Sequence, residues 1–292
     1  MRCASRLVRP PNRYLHLMAA AHAHELNAHG MLAEAHDIVD AARARGIVLR
    51  LVGGLAVREH CRDATFCERP IRDIDLVTVR RSSRAVTNLL TGLGWTENRQ
   101  VAMASGGRKR QFFRRCRHPV GSGRVHDDDR IDLYLDAFQL HHRVDLRSRL
   151  ELESYTVSTS DVLLVKLQRT EANHDDVRDM VTVIKDALAI GEDDASGVVN
   201  RRYLARLCAS DWGLSHDVSR NLARCRAAIA ERGADDPAVG SVGARLDALQ
   251  QAIDEQPKDW RWRLRAALGE RFAWHEPVDD VEAVYFAPGE RP

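Results

Sequence analysis

LVGGLAVREHCRDATFCERPIRDIDLVTV, residues 51–79, is the stretch on which the reading of this chain turns. It reads as strand, glycine turn, helix, loop and strand. The apolar run Ile47 to Val52 has strand composition, and Gly53-Gly54 breaks it. Leu55 to about Cys61 has helix composition. Pro70 closes the next loop, and Ile71 to Val79 is β-branched enough for a second strand. Residues two apart on a strand project to one side, so Asp73 and Asp75 are expected to point together. Two carboxylates so close repel, and each resists losing water. A divalent cation between them removes both objections. Mg²⁺ takes carboxylate oxygens and shares its shell with substrate phosphates.

The glycine pair supplies the other half of such a site. Glycine lets backbone approach a ligand closely and permits φ > 0. The start of a helix offers unpaired N–H groups and a positive dipole end. Gly-Gly alone is a common turn, and Asp-x-Asp alone is often a solvated strand end. Their order, within strand–turn–helix–strand context, favours a phosphate cradle beside a metal pair.

At 292 residues the chain is long enough for one large domain or two ordinary ones. A hydrophobic fraction of 44% supports a sizeable core, and 29% charged residues without long biased runs argue against disorder. The net charge of +2 gives no indication of a nucleic-acid partner. Lysine occurs only at 109, 166, 185 and 258, so nearly every cation is arginine. The cysteines at 3, 61, 67, 116, 208 and 225 show no zinc spacing and read as isolated reduced thiols. No stretch approaches the length of a membrane span, and the arginine-containing start is spoiled as a secretory signal by Pro10, Pro11 and His16. A cytoplasmic protein without membrane contact is expected.

Four segments are expected along the chain. Residues 1–45 read as an arginine-rich arm and a first helix, ended by Gly46. Residues 46–158 read as a strand-rich core. After the organising stretch come a helix from Ser82-Ser83 to about Leu93 and a strand from Trp95 to Ala102. The strand Lys109 to Arg117 is basic, and the strand Ile131 to Phe138 follows the acidic run 127–129. A last alternating strand covers Leu150 to Val157. Residues 159–276 read as helical. Ser160 caps Asp161 to Arg169, and Asp175 to Ile190 carries an apolar stripe through Leu188. Gly191 to Gly197 is the best internal boundary. Helices follow over Arg201 to Ala209, Val218 to Arg232, Val242 to Ile253 and Asp259 to Arg271. Trp212, Trp260, Trp262 and Trp274 stand among arginines there. They read as core anchors beneath a solvated basic face rather than as an RNA surface. Residues 277–292 are a tail. The fold class is α/β: a short mixed sheet with flanking helices, then a helical C-terminal region.

Gly53-Gly54-Leu-Ala, a helix and loop, then Arg72-Asp73-Ile74-Asp75-Leu76 resembles the signature of the DNA polymerase β superfamily of nucleotidyltransferases. The resemblance covers residues 47 to about 190 and is specific at Gly53 to Leu76. It is strongest to small bacterial branches: antibiotic nucleotidyltransferases, and the toxins of abortive-infection and type IV toxin–antitoxin systems. It implies transfer of a nucleoside monophosphate from a nucleoside triphosphate, ATP among the candidates, to a hydroxyl, with Mg²⁺ or Mn²⁺ as cofactor. A toxin-like enzyme would modify a tRNA or a protein and have an antitoxin protein as partner. The alternatives are an antibiotic-modifying enzyme and an inactive nucleotide- or RNA-binding protein of the same fold.

Two-metal nucleotidyl transfer requires a third carboxylate. Asp132 sits between Ile131 and Leu133 at a strand start, as Asp73 and Asp75 do, and the resemblance puts the third carboxylate on such a strand. Asp136 is the second choice. Lys166 is one polar group on a largely apolar helix, and the resemblance implies a triphosphate-binding lysine there; a compact ammonium suits phosphate. The resemblance also matches Asp179, and less strongly Asp176, to an acidic pair on the next helix. Arg72 and His174 are further phosphate candidates. The expected catalytic set is Asp73, Asp75, Asp132, Lys166 and Asp179. Gly53, Gly54, Lys166 and Arg72 would bind nucleotide, and Asp73, Asp75 and Asp132 would bind metal.

Overall fold

A computed structural model describes residues 30–63, 66–115, 128–232 and 239–276. The arm over 1–13, the first part of the expected N-terminal helix, Cys3, Cys116 and the tail 277–292 lie outside the described residues. Helix α1 (30–43) turns Ala35, Ile38, Val39 and Ala42 into the core, all at most 2% exposed. It is followed by β1 (Leu49–Val52), α2 (Gly53–His60), β2 (Ile74–Thr78), α3 (Ser83–Gly92), β3 (Thr96–Asn98) and α4 (Arg99–Ala104). Then come β4 (Lys109–Arg115), β5 (Asp128–Leu135), β6 (Ala137–Gln139) and β7 (Arg143–Asp145).

The main sheet has five strands in the order β1-β2-β5-β4-β3. Strands β2 and β5 pair parallel, and the other three pairings are antiparallel, so the sheet is mixed. Alternation divides its faces. Ile74, Leu76, Ile131, Leu133 and Phe112 are buried on one side, while Asp73, Asp75, Asp132 and Gln111 belong to the other by the two-residue period.

Helices dominate beyond the sheet: α5 (Thr159–Leu167), α6 (His174–Asp186), α7 (Arg201–Ser210), α8 (Trp212–Arg232), α9 (Val242–Glu255) and α10 (Trp260–Leu268). Short strands β8 (Ala189–Gly191) and β9 (Val198–Asn200) pair parallel across the Gly191–Gly197 connection. One buried apolar cluster runs from Ala35 on α1 to Ile253 on α9. Arg149 reinforces the join. Its guanidinium donates to Asp161 at the start of α5 at 2.8 Å and to Asp194 in the connection at 2.9 Å, and it lies 3.7 Å from the centre of the Tyr203 ring on α7.

Several expectations are corrected. Only 96–98 of the expected strand Trp95 to Ala102 is extended; the Asn98 side chain accepts from the Gln100 N–H and starts α4. Leu150 to Val157 forms turns rather than a strand, with a single parallel bridge between Thr156 and Leu51. Strand β5 ends at Leu135 because Asp136 takes φ 68°, a left-handed conformation that interrupts the ladder. The cap of α5 is Ser158, not Ser160. The stripe of α6 stops short of Leu188, which is 62% exposed. Cys61 and Cys67 form a disulfide, not two reduced thiols: the Phe66 and Cys67 N–H groups donate to the Asp63 carbonyl, and the two cysteine Cα atoms lie 6.6 Å apart. Cys208 and Cys225 are free and buried. Trp260 is not a core anchor but 67% exposed, since α10 has no buried residue. No helix among the described residues is long and apolar enough to cross a membrane.

Candidate active site

Sheet register builds the site. Val52 on β1 pairs with Asp75 on β2, Asp75 with Asp132 on β5, and Asp132 with Gln111 on β4. One row across four strands therefore carries two carboxylates side by side. Asp73, two residues before Asp75, brings the third to the same face. Ligand atoms of Asp73, Asp75 and Asp132 all lie within 4.8 Å of one another. Three carboxylates at that spacing form a hard, all-oxygen donor set of the kind that suits Mg²⁺ or Mn²⁺.

The backbone next to this row is shaped by glycine. Val52 is still extended, and α2 begins immediately at Gly53, whose φ is 72°. A Cβ there would meet Asp75 Oδ2 at 2.2 Å. Gly53 is thus required twice, by a left-handed conformation and by contact with a triad carboxylate. Gly54 faces a cation instead: a Cβ on it would lie 2.6 Å from Arg69 Nη2. The first turn of α2 contains no acidic residue, so its free N–H groups and the Arg69 guanidinium form one positive wall.

Arg69 is held from behind by Asp179, with both carboxylate oxygens accepting, at 2.8 and 2.7 Å. Lys166 Nζ lies 2.8 Å from Asp179 and 3.4 Å from Asp176, and Arg169 pairs with Asp176 at 2.6 Å. Asp176 also closes the capping box of α6 with Asn173. Burial alone would raise the Asp176 carboxyl; Lys166 and Arg169 hold it below the ordinary range. The acidic pair of α6 therefore fixes the cations Lys166, Arg69 and Arg169 rather than joining the triad. Arg72 is exposed, immediately before Asp73, and His174 is exposed at the start of α6. Asp136 accepts from the Arg80 backbone N–H at 2.8 Å and turns away into the β5–β6 corner.

Four contributors lay outside the sequence reading. Lys109 Nζ meets Asp132 Oδ2 at 2.8 Å. Gln111 Nε2 donates to Asp132 Oδ1 at 2.9 Å. Arg130 Nη2 donates to Asp73, and Arg69 lines Gly54. Lys109 had a signal, since lysine is rare here. Arg130 had another, standing two residues before Asp132 on the same face. Gln111 and Arg69 carried none.

Charge repulsion is visible in the triad. Burial, then Asp73 and Asp132, push the Asp75 carboxyl well above its ordinary range, against the pull of Lys109 and Lys166. A group in that condition is stabilised by a bound cation. The Tyr134 phenol is raised as well, first by burial and then by Asp75 and Asp132.

Among known proteins, Dicer-like protein 2 of Neurospora crassa is 30% identical over 132 residues, which span 45% of this chain and 8% of that protein. A family model described as an uncharacterised nucleotidyltransferase matches residues 3–180. That range contains the glycine pair, the whole carboxylate triad, Lys109, Arg130 and Lys166. With the match covering more than half of the 292 residues, the chain belongs to this uncharacterised nucleotidyltransferase family.

Proposed function

We propose that the chain is a metal-dependent enzyme that moves a nucleoside monophosphate from a nucleoside triphosphate to a hydroxyl acceptor and releases pyrophosphate. The observation that carries this reading is the triad: Asp75 and Asp132 are register partners on parallel strands, and Asp73 shares their face. Asp73, Asp75 and Asp132 would hold Mg²⁺ or Mn²⁺, which would polarise the phosphoryl group and lower the pKa of the attacking hydroxyl. Gly53 leaves room for the triphosphate beside Asp75. The first N–H groups of α2, with Arg69 and Lys166, supply positive charge against it. Lys109 and Gln111 occupy one oxygen each of Asp132 and so fix its orientation toward Asp75. Asp179 acts through Arg69 and Lys166.

The acceptor is a tRNA end or a protein side chain, and the protein is a toxin-like enzyme with a cognate antitoxin protein. The resemblance at Gly53 to Leu76 supports the toxin-like branch and the antibiotic nucleotidyltransferases alike, and an antibiotic hydroxyl is the alternative acceptor. The family match ends at residue 180, before α7 to α10, where the acceptor would be selected. Pyrophosphate release tests the chemistry. The protein would be incubated with Mg²⁺, each nucleoside triphosphate in turn, and total tRNA or cell extract. Release that requires both Mg²⁺ and the acceptor mixture supports the reading. No release above buffer with any triphosphate counts against it.

A further inference from the structure

Lys109 and Arg130 both pair with the triad, but they approach it differently. Lys109 reaches Asp132 from the Tyr134 side, with its ammonium 5.2 Å from the centre of that ring. Arg130 approaches from the opposite direction along β5, two residues before Asp132, and contacts two carboxylates. Its Nη2 donates to Asp73 Oδ2, and its Nε lies 3.9 Å from Asp132 Oδ2. Asp73 and Asp132 are two of the three candidate metal ligands. A planar cation held by both of them competes with a divalent ion for the same carboxylate oxygens.

Charge supports the same conclusion. With Lys109 and Arg130 in place, three carboxylates retain at most one net negative charge, and affinity for a hard divalent ion depends on ligand charge. A free ion therefore enters a site already largely neutralised. An ion arriving on a triphosphate brings several anionic oxygens with it. A guanidinium released from Asp73 can pair with those oxygens in a two-pronged contact.

We propose that Arg130 is a displaceable internal cation. It fills the place between Asp73 and Asp132 when metal is absent and turns onto the triphosphate when metal and nucleotide enter together. Arg130 is then the residue that makes the site accept a metal–nucleotide complex in preference to the free ion. A static brace would behave in the opposite way, since its removal would loosen Asp73 and weaken metal binding. The proposal rests on the triphosphate reading above.

The test is Mn²⁺ binding, followed by the electron paramagnetic resonance of the free ion. Wild type and Arg130→Gln would be compared with and without a non-hydrolysable triphosphate analogue, after circular dichroism confirms the fold. We expect Arg130→Gln to bind Mn²⁺ alone roughly 10-fold more tightly or better, and to bind the Mn²⁺–analogue complex roughly 10-fold more weakly. Unchanged or weaker binding of Mn²⁺ alone overturns the displaceable-cation proposal. Tighter Mn²⁺ binding without loss of analogue affinity overturns the transfer of Arg130 onto phosphate. Should Arg130→Gln not fold, Arg130→Lys keeps a cation that cannot span both carboxylates, and the same two comparisons decide. If neither protein binds Mn²⁺ even with the analogue, the nucleotidyltransferase reading falls together with this one. If wild type binds the complex and only the variant comparison fails, that reading stands and the displaceable-cation proposal alone falls, with weaker Mn²⁺ binding in the variant marking Arg130 as a brace.

Discussion

Gly53 stands so close to Asp75 that no side chain fits between them: a Cβ on Gly53 would meet Asp75 Oδ2 at 2.2 Å. The cause is register. Val52 is the partner of Asp75 across the β1–β2 ladder, and Gly53 begins α2 directly beyond it. The start of α2 and the central carboxylate are therefore one mechanical unit.

Gly53→Ala should damage that unit in two ways. The left-handed conformation alone disfavours alanine by about 1–2 kcal/mol, and the methyl must also push Asp75 out of the row. We expect a lowered unfolding temperature together with weakened Mn²⁺ binding. Gly54→Ala should be milder, because its Cβ meets the movable tip of Arg69 at 2.6 Å. Its loss should appear in triphosphate affinity more than in stability. Wild-type stability and Mn²⁺ affinity in Gly53→Ala would contradict the geometry.

Asp75 predicts an unusual pH dependence. Burial, then Asp73 and Asp132, raise its carboxyl well above the ordinary value of 3.8 in the metal-free protein. As pH rises above that value, the unfolded chain releases this proton while the folded chain retains it. Stability then falls with rising pH until the raised pKa is passed. Asp75→Asn removes this penalty without much change in volume. We expect metal-free Asp75→Asn to unfold at a higher temperature than wild type near neutral pH, with the gap closing toward about pH 4. Mg²⁺ should stabilise wild type and leave the variant unmoved. Parallel unfolding curves across this range would reject the crowded-carboxylate account.

Lys166 is 8% exposed, and its ammonium already meets Asp179 and Asp176. Removing it leaves each acid one arginine partner, Arg69 for Asp179 and Arg169 for Asp176. Lys166→Met should therefore fold. It should lose a charge-assisted contact to triphosphate worth roughly 1.5–3 kcal/mol, or about 10- to 150-fold in affinity. Lys166→Arg should also be impaired, since a planar fork does not fit between two carboxylates that hold a compact ammonium. Calorimetric titration of a triphosphate analogue decides. Equal affinity in wild type and Lys166→Met would make Lys166 a structural counter-ion only.

What was legible in the sequence follows from the range over which each signal acts. The strand–glycine–helix passage at 47–60 is local, and the two-residue period of a strand relates Asp73 to Asp75. Asp132 could be named because it repeats the same local pattern of one acid between apolar neighbours. Lys109 and Gln111 reach Asp132, and Arg130 reaches Asp73, through cross-strand register, which no single strand encodes. Arg69 meets Gly54 through a loop whose path depends on Asp179, 110 residues away. Trp95 to Ala102 departs from the expected strand because one side-chain cap at Asn98 decides for helix. Leu150 to Val157 alternates like a strand, yet makes only the bridge between Thr156 and Leu51 with the sheet.

Nucleotidyl transfer at Asp73, Asp75 and Asp132 is read out by label transfer. Wild type, Asp75→Asn and Asp132→Asn would each be incubated with α-phosphate-labelled nucleoside triphosphates, Mg²⁺, and total tRNA or cell protein. Wild type is expected to attach label covalently to an acceptor, and both variants, folded by circular dichroism, to lose this by at least about 100-fold, the scale of a removed electrostatic catalytic group. Label transfer by Asp75→Asn at the wild-type rate, or no transfer by wild type with any triphosphate and acceptor mixture, would contradict nucleotidyl transfer at this triad.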